Sequence, residues 1–256
     1  MAIRTDRPTT GRFTAGRLRT DLRTIRHMAF PRVTGSTPAE RMESYYRSAA
    51  TDYDAFRERL LHGRRDLMRL LPARPGSHLV DMGAGTGSNI AHLDDRRRAE
   101  YRRITLVDVS ASMLAVARHR VARSGWHNVE TVHASATDYR PEDGPADVVM
   151  FSYALTMMPD WFAAVDHARA ILRPGGTLAV CDFYVSRKHP GRGARHAAWR
   201  RHLWPAWFGH NDVFLSPDHL PYLRARFTAV HEEERLAPVP YLPARVPYYL
   251  FVGTRD

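Results

Sequence analysis

Apolar positions along the chain follow two different periods. Leu18, Leu22, Ile25 and Ala29 recur at helical spacing with arginines between them, which predicts a short basic amphipathic helix ending at Pro31. Residues 1–17 are polar, rich in Thr and Arg and without period, and read as a disordered tail. Thr37-Pro38-Ala39-Glu40 is a capping-box start with proline at the first helical position, so a helix is expected to about Ala50. A second helical pattern covers 53–71 and stops before Pro72. Beyond Pro75-Gly76 short apolar runs alternate with helical periods. Strands are expected at 78–82, 104–108, 129–133, 147–152 and 177–183, and helices at 87–97, 111–124 and 160–172. Pro174-Gly175-Gly176 reads as a turn before the fifth strand. This alternation means βαβ units and a parallel sheet. Two later strands, 226–234 and 246–253, are expected as an antiparallel hairpin at its edge. Between the fifth strand and that hairpin lies an insertion, 184–225, rich in Trp, His, Arg and Pro.

Composition narrows the class. With 256 residues, 44% of them hydrophobic, the chain can bury a full core and global disorder is excluded. No run reaches the ~18 apolar residues of a membrane span, and the N-terminus has arginines but no apolar stretch of a secretory signal. The single cysteine, Cys181, excludes a disulfide framework and a cysteine-based metal site, so a reducing cytosol is expected and no metal. The formal net charge of +11 is concentrated in two places. Residues 1–38 hold eight arginines against Asp6 and Asp21, and residues 187–201 hold Arg187, Lys188, Arg192, Arg195, Arg200 and Arg201 with no acid. The rest is close to neutral. Two cationic segments on a neutral body point to an anionic surface, nucleic acid or lipid. The Leu18–Ala29 helix reads equally as packed on the domain or lying on a membrane.

The strongest chemical signal is Val80-Asp81-Met82-Gly83-Ala84-Gly85-Thr86-Gly87-Ser88, after a predicted strand and opening a predicted helix. Glycines there let the backbone turn tightly and approach a ligand. Ser88 stands where a dinucleotide loop has its third glycine, the glycine falls one place earlier, and no Gly-Lys-Ser/Thr of a phosphate loop is present. Asp108 ends the second strand 21 residues after Gly87, an offset at which an acid accepts two hydrogen bonds from a ribose diol. The Asp-x-Gly-x-Gly-x-Gly arrangement resembles the S-adenosylmethionine loop of class I methyltransferases, as does Leu172-Arg173-Pro174-Gly175-Gly176. The resemblance implies a Rossmann-like, mostly parallel α/β sheet of seven strands with an antiparallel edge hairpin, preceded by N-terminal helices. It implies S-adenosylmethionine as cofactor, held by Asp81, Gly83, Ala84, Gly85, Thr86, Asp108, Val109 and Met113, by Ser135, Ala136 and Thr137, and by Ser152 and Tyr153. Asp81 suits the ligand's cationic groups, directly or through water, and Val109 and Met113 flank the adenine. Ser135 replaces the family's usual Asp near the adenine amino group, with Asp138 as the alternative.

Other stretches are more specific. They are Tyr45-Tyr46, Asp52 to Arg57 and Leu61 to Arg64, then Tyr153 to Trp161, Asp182 to Lys188 and Trp204 to Phe208, and finally Asp212 to Leu223 and Val246 to Gly253. With them the chain, from roughly residue 20 onward, resembles the diacylglyceryl-homoserine N-methyltransferases of betaine-lipid synthesis. That resemblance implies three successive N-methylations giving diacylglyceryl-trimethylhomoserine. Tyr153, Asp182 and Tyr184 are the candidates for holding the amine or relaying its proton. Tyr46 and Tyr53 are candidates for an aromatic lid over the headgroup, and Arg57 and Arg64 for its carboxylate. His210 and His219 read as local structure. The expected organisation is a basic tail and amphipathic helix, 1–35, and a methyltransferase domain, 36–256, with a helical lid at 36–72. The insertion 184–225 either grips a membrane through Trp199, Trp204, Trp207 and Phe208 beside its arginines, or caps the site with these aromatics in the core. A cytoplasmic enzyme bound peripherally to an anionic membrane is expected. Methylation of another headgroup such as phosphatidylethanolamine, or of a quinone precursor, is the nearest rival. A nucleic-acid-modifying methyltransferase or RNA-binding protein is the next, followed by a non-catalytic adenosylmethionine-binding protein.

Overall fold

Six consecutive buried residues, Ser77–Met82, form strand β2. Burial on both faces marks a central strand of a parallel sheet covered on each side. Around it the computed structural model, which describes residues 4–6, 59–210, 212–240 and 243–256, builds an eight-stranded sheet in the order β1-β7-β8-β6-β5-β2-β3-β4. The other strands are β1 (Arg4–Thr5), β3 (Tyr101–Asp108), β4 (Val129–His133), β5 (Ala146–Ser152), β6 (Leu172–Phe183), β7 (Thr228–Pro238) and β8 (Arg245–Thr254). Strands β2 to β6 run parallel, β8 is antiparallel to β6 and β7, and β1 is parallel to β7. The expected mostly parallel sheet with an antiparallel hairpin is therefore present, but β8 of that hairpin inserts between β6 and β7.

Helices α1 (Arg64–Leu70), α2 (Asp95–Glu100), α3 (Ala111–Ser124), α4 (Trp161–Ile171), α5 (Ala198–Gly209) and α6 (His219–Arg226) complete the described elements, with 3-10 turns at Ser88–His92 and Leu155–Met157. Successive residues of each strand feed two cores. Leu79, Ala179, Cys181 and Phe183 lie with α1 and α5 on one face. Val80, Val180, Tyr184 and Tyr249 lie with α4 and α6 on the other. The helices expected before residue 59, with Tyr45, Tyr46, Tyr53, Phe56 and Arg57, lie outside the described residues.

Four expectations need correction. The helix expected over 53–71 is broken by Gly63, at φ 81, before α1 starts. A Cβ there would lie 2.5 Å from the Tyr248 ring. The helix expected over 87–97 is two pieces, because Leu93 is extended and the Asp94 side chain accepts from Arg97 N at 2.7 Å to start α2 afresh. The turn at Pro174-Gly175-Gly176 is a bulge inside a longer β6, between the pairs Ala146–Leu172 and Val148–Thr177. Finally, part of the segment read as a tail is ordered on the sheet edge. Arg4–Thr5 pairs with Arg235 and Leu236, Asp6 N donates to Leu236 O at 3.1 Å, and Arg245 Nη1 donates to Asp6 O at 2.7 Å. Tyr248 Oη donates to the Asp6 carboxylate, which lies 3.6 Å from His62 Nδ1. A two-residue strand has no period to read.

Gly63→Ala combines a left-handed backbone with a clash against an immobile ring. It should lower unfolding stability by about 2 kcal/mol or more, measured by denaturant titration.

Candidate active site

The chain winds from β2 outward to β3 and β4, then returns to the other side of β2 as β5. A crevice opens at the carboxyl ends where the winding reverses, between β2 and β5. The glycine loop fills its floor. Gly83, Gly85 and Gly87 have φ of 73, 56 and 68, a region side chains resist. Gly83 N and Ala84 N donate to Val107 O at 2.8 and 3.0 Å, pinning the loop to β3. A Cβ on Gly83 would meet Ala154 Cβ at 2.7 Å, so the loop also fits tightly under the end of β5.

Asp81 points to the α1 face and is fully buried. Its Oδ2 accepts from Asn89 Nδ2 at 3.2 Å, whereas Oδ1 has no partner among the described residues. Burial, which disfavours the charged form, pushes the carboxyl up to about 7 against the lowering effect of Asn89. Arg64, expected at a substrate carboxylate, is instead buried behind this loop. Its Nη1 donates to Ser88 Oγ at 3.0 Å and its Nε to Leu61 O at 3.3 Å, so it braces the glycine loop. The reason is its place one residue after the break at Gly63, which turns the first turn of α1 inward. Asn89, two residues beyond Gly87, went unread in the sequence; it links Asp81 to Ser152 Oγ, 3.4 Å from its Oδ1.

Asp108, Val109 and Met113 come from the end of β3 and the start of α3. Asp108 Oδ2 accepts from Gly85 N at 2.7 Å and Oδ1 from Ser110 N at 2.9 Å. These bonds tie the two loops together and leave further lone pairs for a diol. Ser110 caps α3, its Oγ accepting from Met113 N at 3.2 Å, and Met113 is buried. After β4, Ser135 Oγ accepts from Thr137 N at 3.2 Å in a local turn that also brings Asp138 N to Ser135 O at 3.1 Å. Ala136 is buried within it. Thus the loops after β2, β3, β4 and β5 share one edge.

The three candidates at the reacting amine do not come together. Tyr153 takes a left-handed φ of 56 at the end of β5 and donates its Oη to His62 O at 2.6 Å on the α1 face. Its ring meets Phe183 edge-on at 4.6 Å, and Phe183 meets Phe208 of α5 at 4.9 Å. Asp182 and Tyr184, one residue to either side of Phe183, point through the opposite face, because side chains alternate along a strand. Asp182 is fully buried. It accepts from Thr156 Oγ1 and Phe183 N, both at 2.8 Å, and from Thr156 N at 3.2 Å, and burial pushes it up to about 7. It holds the turn after β5 in place. Tyr184 donates to Glu234, with His196 Nε2 3.3 Å away, and fastens the start of the insertion to β7. His219, read as local structure, is fully buried with both ring nitrogens unpartnered among the described residues, stacked edge-on against Trp161 at 4.6 Å. Burial pushes it down to about 3, so it is neutral. No local pattern marks it.

The family profile of the ubiE/COQ5 methyltransferases matches residues 36–210. The chain belongs to the ubiE/COQ5 methyltransferase family. It is 31% identical over 147 residues to the demethylmenaquinone methyltransferase of Clavibacter sepedonicus, covering 56% of this chain and 58% of that protein. It is 28% identical over 166 residues to the ubiquinone/menaquinone biosynthesis C-methyltransferase of Shewanella frigidimarina, covering 61% and 64%. The chain spans about three fifths of the length of the curated relatives it matches. Among solved structures it is similar to the 1,6-didemethyltoxoflavin-N1-methyltransferase of Burkholderia thailandensis, which holds S-adenosylhomocysteine. That likeness has a TM-score of 0.57 at 21% identity, over 87% of this chain and 92% of that one. The N-methyltransferase NodS of Bradyrhizobium japonicum gives 0.52 at 20%, over 81% and 99%. These two likenesses bear on the fold.

The residues present fit the methyl donor. An orphaned carboxylate oxygen at Asp81 matches a cationic ligand. A glycine loop with three positive φ values provides the close approach, and Asp108 stands at the neighbouring strand tip. A cation beside Asp81 stabilises its ionised form, so binding releases a proton, and donor affinity should rise as pH increases through about 7. Asp81→Asn should weaken binding by about 10–100-fold, the loss of a charge-assisted contact, and remove that pH dependence in calorimetric titrations.

Proposed function

We propose that this methyltransferase acts on the amine of a lipid headgroup, converting diacylglyceryl-homoserine to its N-trimethylated betaine form in three steps. The observation that carries this reading is the convergence of the stretches on which the resemblance to those enzymes rests. Thr156, from the Tyr153–Trp161 run, is bound by Asp182, and its carbonyl accepts from Phe214 N at 2.7 Å. Phe208 packs on Phe183, His219 on Trp161, and Tyr184 N donates to Pro247 O at 3.2 Å. Segments far apart in the chain thus meet around the ends of β5 and β6, and from both faces of the sheet they form a wall there.

S-adenosylmethionine supplies a methyl group on a cationic sulphur. The protein's part is to orient the amine for in-line attack, a positioning effect, and to accommodate a headgroup that becomes a fixed cation. The Tyr153–Phe183–Phe208 row suits that product, since aromatic faces attract quaternary ammonium by about 0.5–2 kcal/mol each. Asp182 and Tyr184 act as positioning residues for this wall. Tyr46 and Tyr53 as an aromatic lid, and Arg57 for the headgroup carboxylate, belong to the same reading. A second reading comes from the relatives, whose names specify methylation of demethylmenaquinone. On that reading the same wall flanks a quinone ring.

Incubating the protein with labelled methyl donor and a mixed lipid extract should place label in mono-, di- and trimethylated homoserine headgroups. Label confined to a quinone, or to phosphatidylethanolamine derivatives, would replace this reading. Phe183→Leu should slow the third methylation more than the first, by about 2–10-fold, because the cationic product gains most from the ring.

A further inference from the structure

Helix α5 is apolar on two sides. Trp204 and Phe208, four residues apart, are buried in the core on Phe183. Trp199, Leu203 and Trp207, also four apart, form one line along the outside, 51%, 45% and 47% exposed. Phe214, just beyond α5, is a further exposed aromatic, and its backbone is tied to Thr156 O in the 3-10 turn after β5. Single exposed apolar residues are ordinary; a line of three beside the edge of a site is not.

The surroundings say what covers it. From Tyr184 to Asn211 the chain has no Asp or Glu and six Lys or Arg. Arg187 is paired with Asp218 at 2.7 Å, but Arg192, Arg195, Arg200 and Arg201 have no carboxylate partner among the described residues. Arg192 and Arg195 are exposed in the segment leading into α5, and Arg200 lies over the Trp199 ring at 4.8 Å. Two copies of this face would bring like charges together. An anionic bilayer instead accepts the tryptophans at its interface and the guanidinium groups at its phosphates. RNA would be served by the arginines and rings but gains nothing from Leu203.

We propose that the outer face of α5, with Trp199, Leu203 and Trp207 at its centre and Arg192 and Arg195 at its end, docks on an anionic lipid bilayer. This inference rests on the lipid reading and gives it a geometry. Phe208 and Phe214 join the docking helix to the ends of β5 and β6, so docking brings the site edge to the surface where an acyl-anchored acceptor lies.

The full chain should float with vesicles of equal phosphatidylcholine and phosphatidylglycerol, with a blue shift of tryptophan fluorescence. The triple variant Trp199→Ser, Leu203→Ser, Trp207→Ser should lose vesicle partition by about tenfold or more, while its thermal midpoint and donor binding stay unchanged. Arg192→Gln with Arg195→Gln should weaken partition about fivefold per arginine, and added salt should do the same to the wild type. Undiminished flotation of the triple variant overturns the inference. So does binding of single-stranded RNA in place of vesicles, or a wild-type dimer that the triple variant dissolves. Methylation of detergent-dispersed lipid keeps the two claims apart. A wild type that labels the dispersed headgroup but never floats sinks the docking surface alone. One that floats but labels no amine headgroup sinks the lipid-amine reading alone.

Discussion

A parallel sheet that winds away from one strand in both directions must separate its connecting loops at that strand's carboxyl end, since one loop leaves toward each face. Here the strand is β2, with β3 on one side and β5 on the other. The candidate site in the described structure is organised by that gap. The glycine loop crosses it, Asp81 sits beneath it with one oxygen unpartnered among the described residues, and Tyr153 takes its left-handed conformation at its rim. A buried carboxylate with no partner on one oxygen among the described residues costs free energy as an anion, and burial raises its proton affinity accordingly.

The second constraint is the alternation of side chains along β6. Cys181 and Phe183 enter the α1–α5 core, whereas Asp182 and Tyr184 enter the α4–α6 core. Residues adjacent in sequence therefore serve different ends. Phe183 packs between Tyr153 and Phe208 in the core, Asp182 holds the turn after β5, and Tyr184 ties the insertion to Glu234 on β7. Through Phe208 and Phe214 the insertion is joined to both strand ends. The glycine-loop side and the insertion are thus coupled by packing around two short turns.

The N-terminal strand adds a third tie. Asp6 receives Tyr248 Oη and lies beside His62, and the His62 carbonyl accepts from Tyr153. Asp6 is connected in two steps, through His62, to the strained residue at the end of β5. Strained backbone persists only where its surroundings over-determine it, and this chain of contacts helps to do so.

Local interactions made strands β2 to β8, helices α3 and α4 and the cofactor loop legible in the sequence alone. Periods of two and 3.6 are written in neighbouring residues, and Asp81, the three glycines and Asp108 stand at offsets set by one strand–loop–strand unit. Which face a side chain meets, and how deeply, depended on partners distant in the chain. Arg64 turned inward because Gly63 breaks a helix against Tyr248. His219 lost its solvent to Trp161 and Tyr249, and Asp182 was drawn to Thr156. Trp204 went to the core while Trp199 and Trp207 stayed outside, although all three share one composition and one helix. Burial is a property of the packed molecule, decided by contacts that no short window of sequence contains.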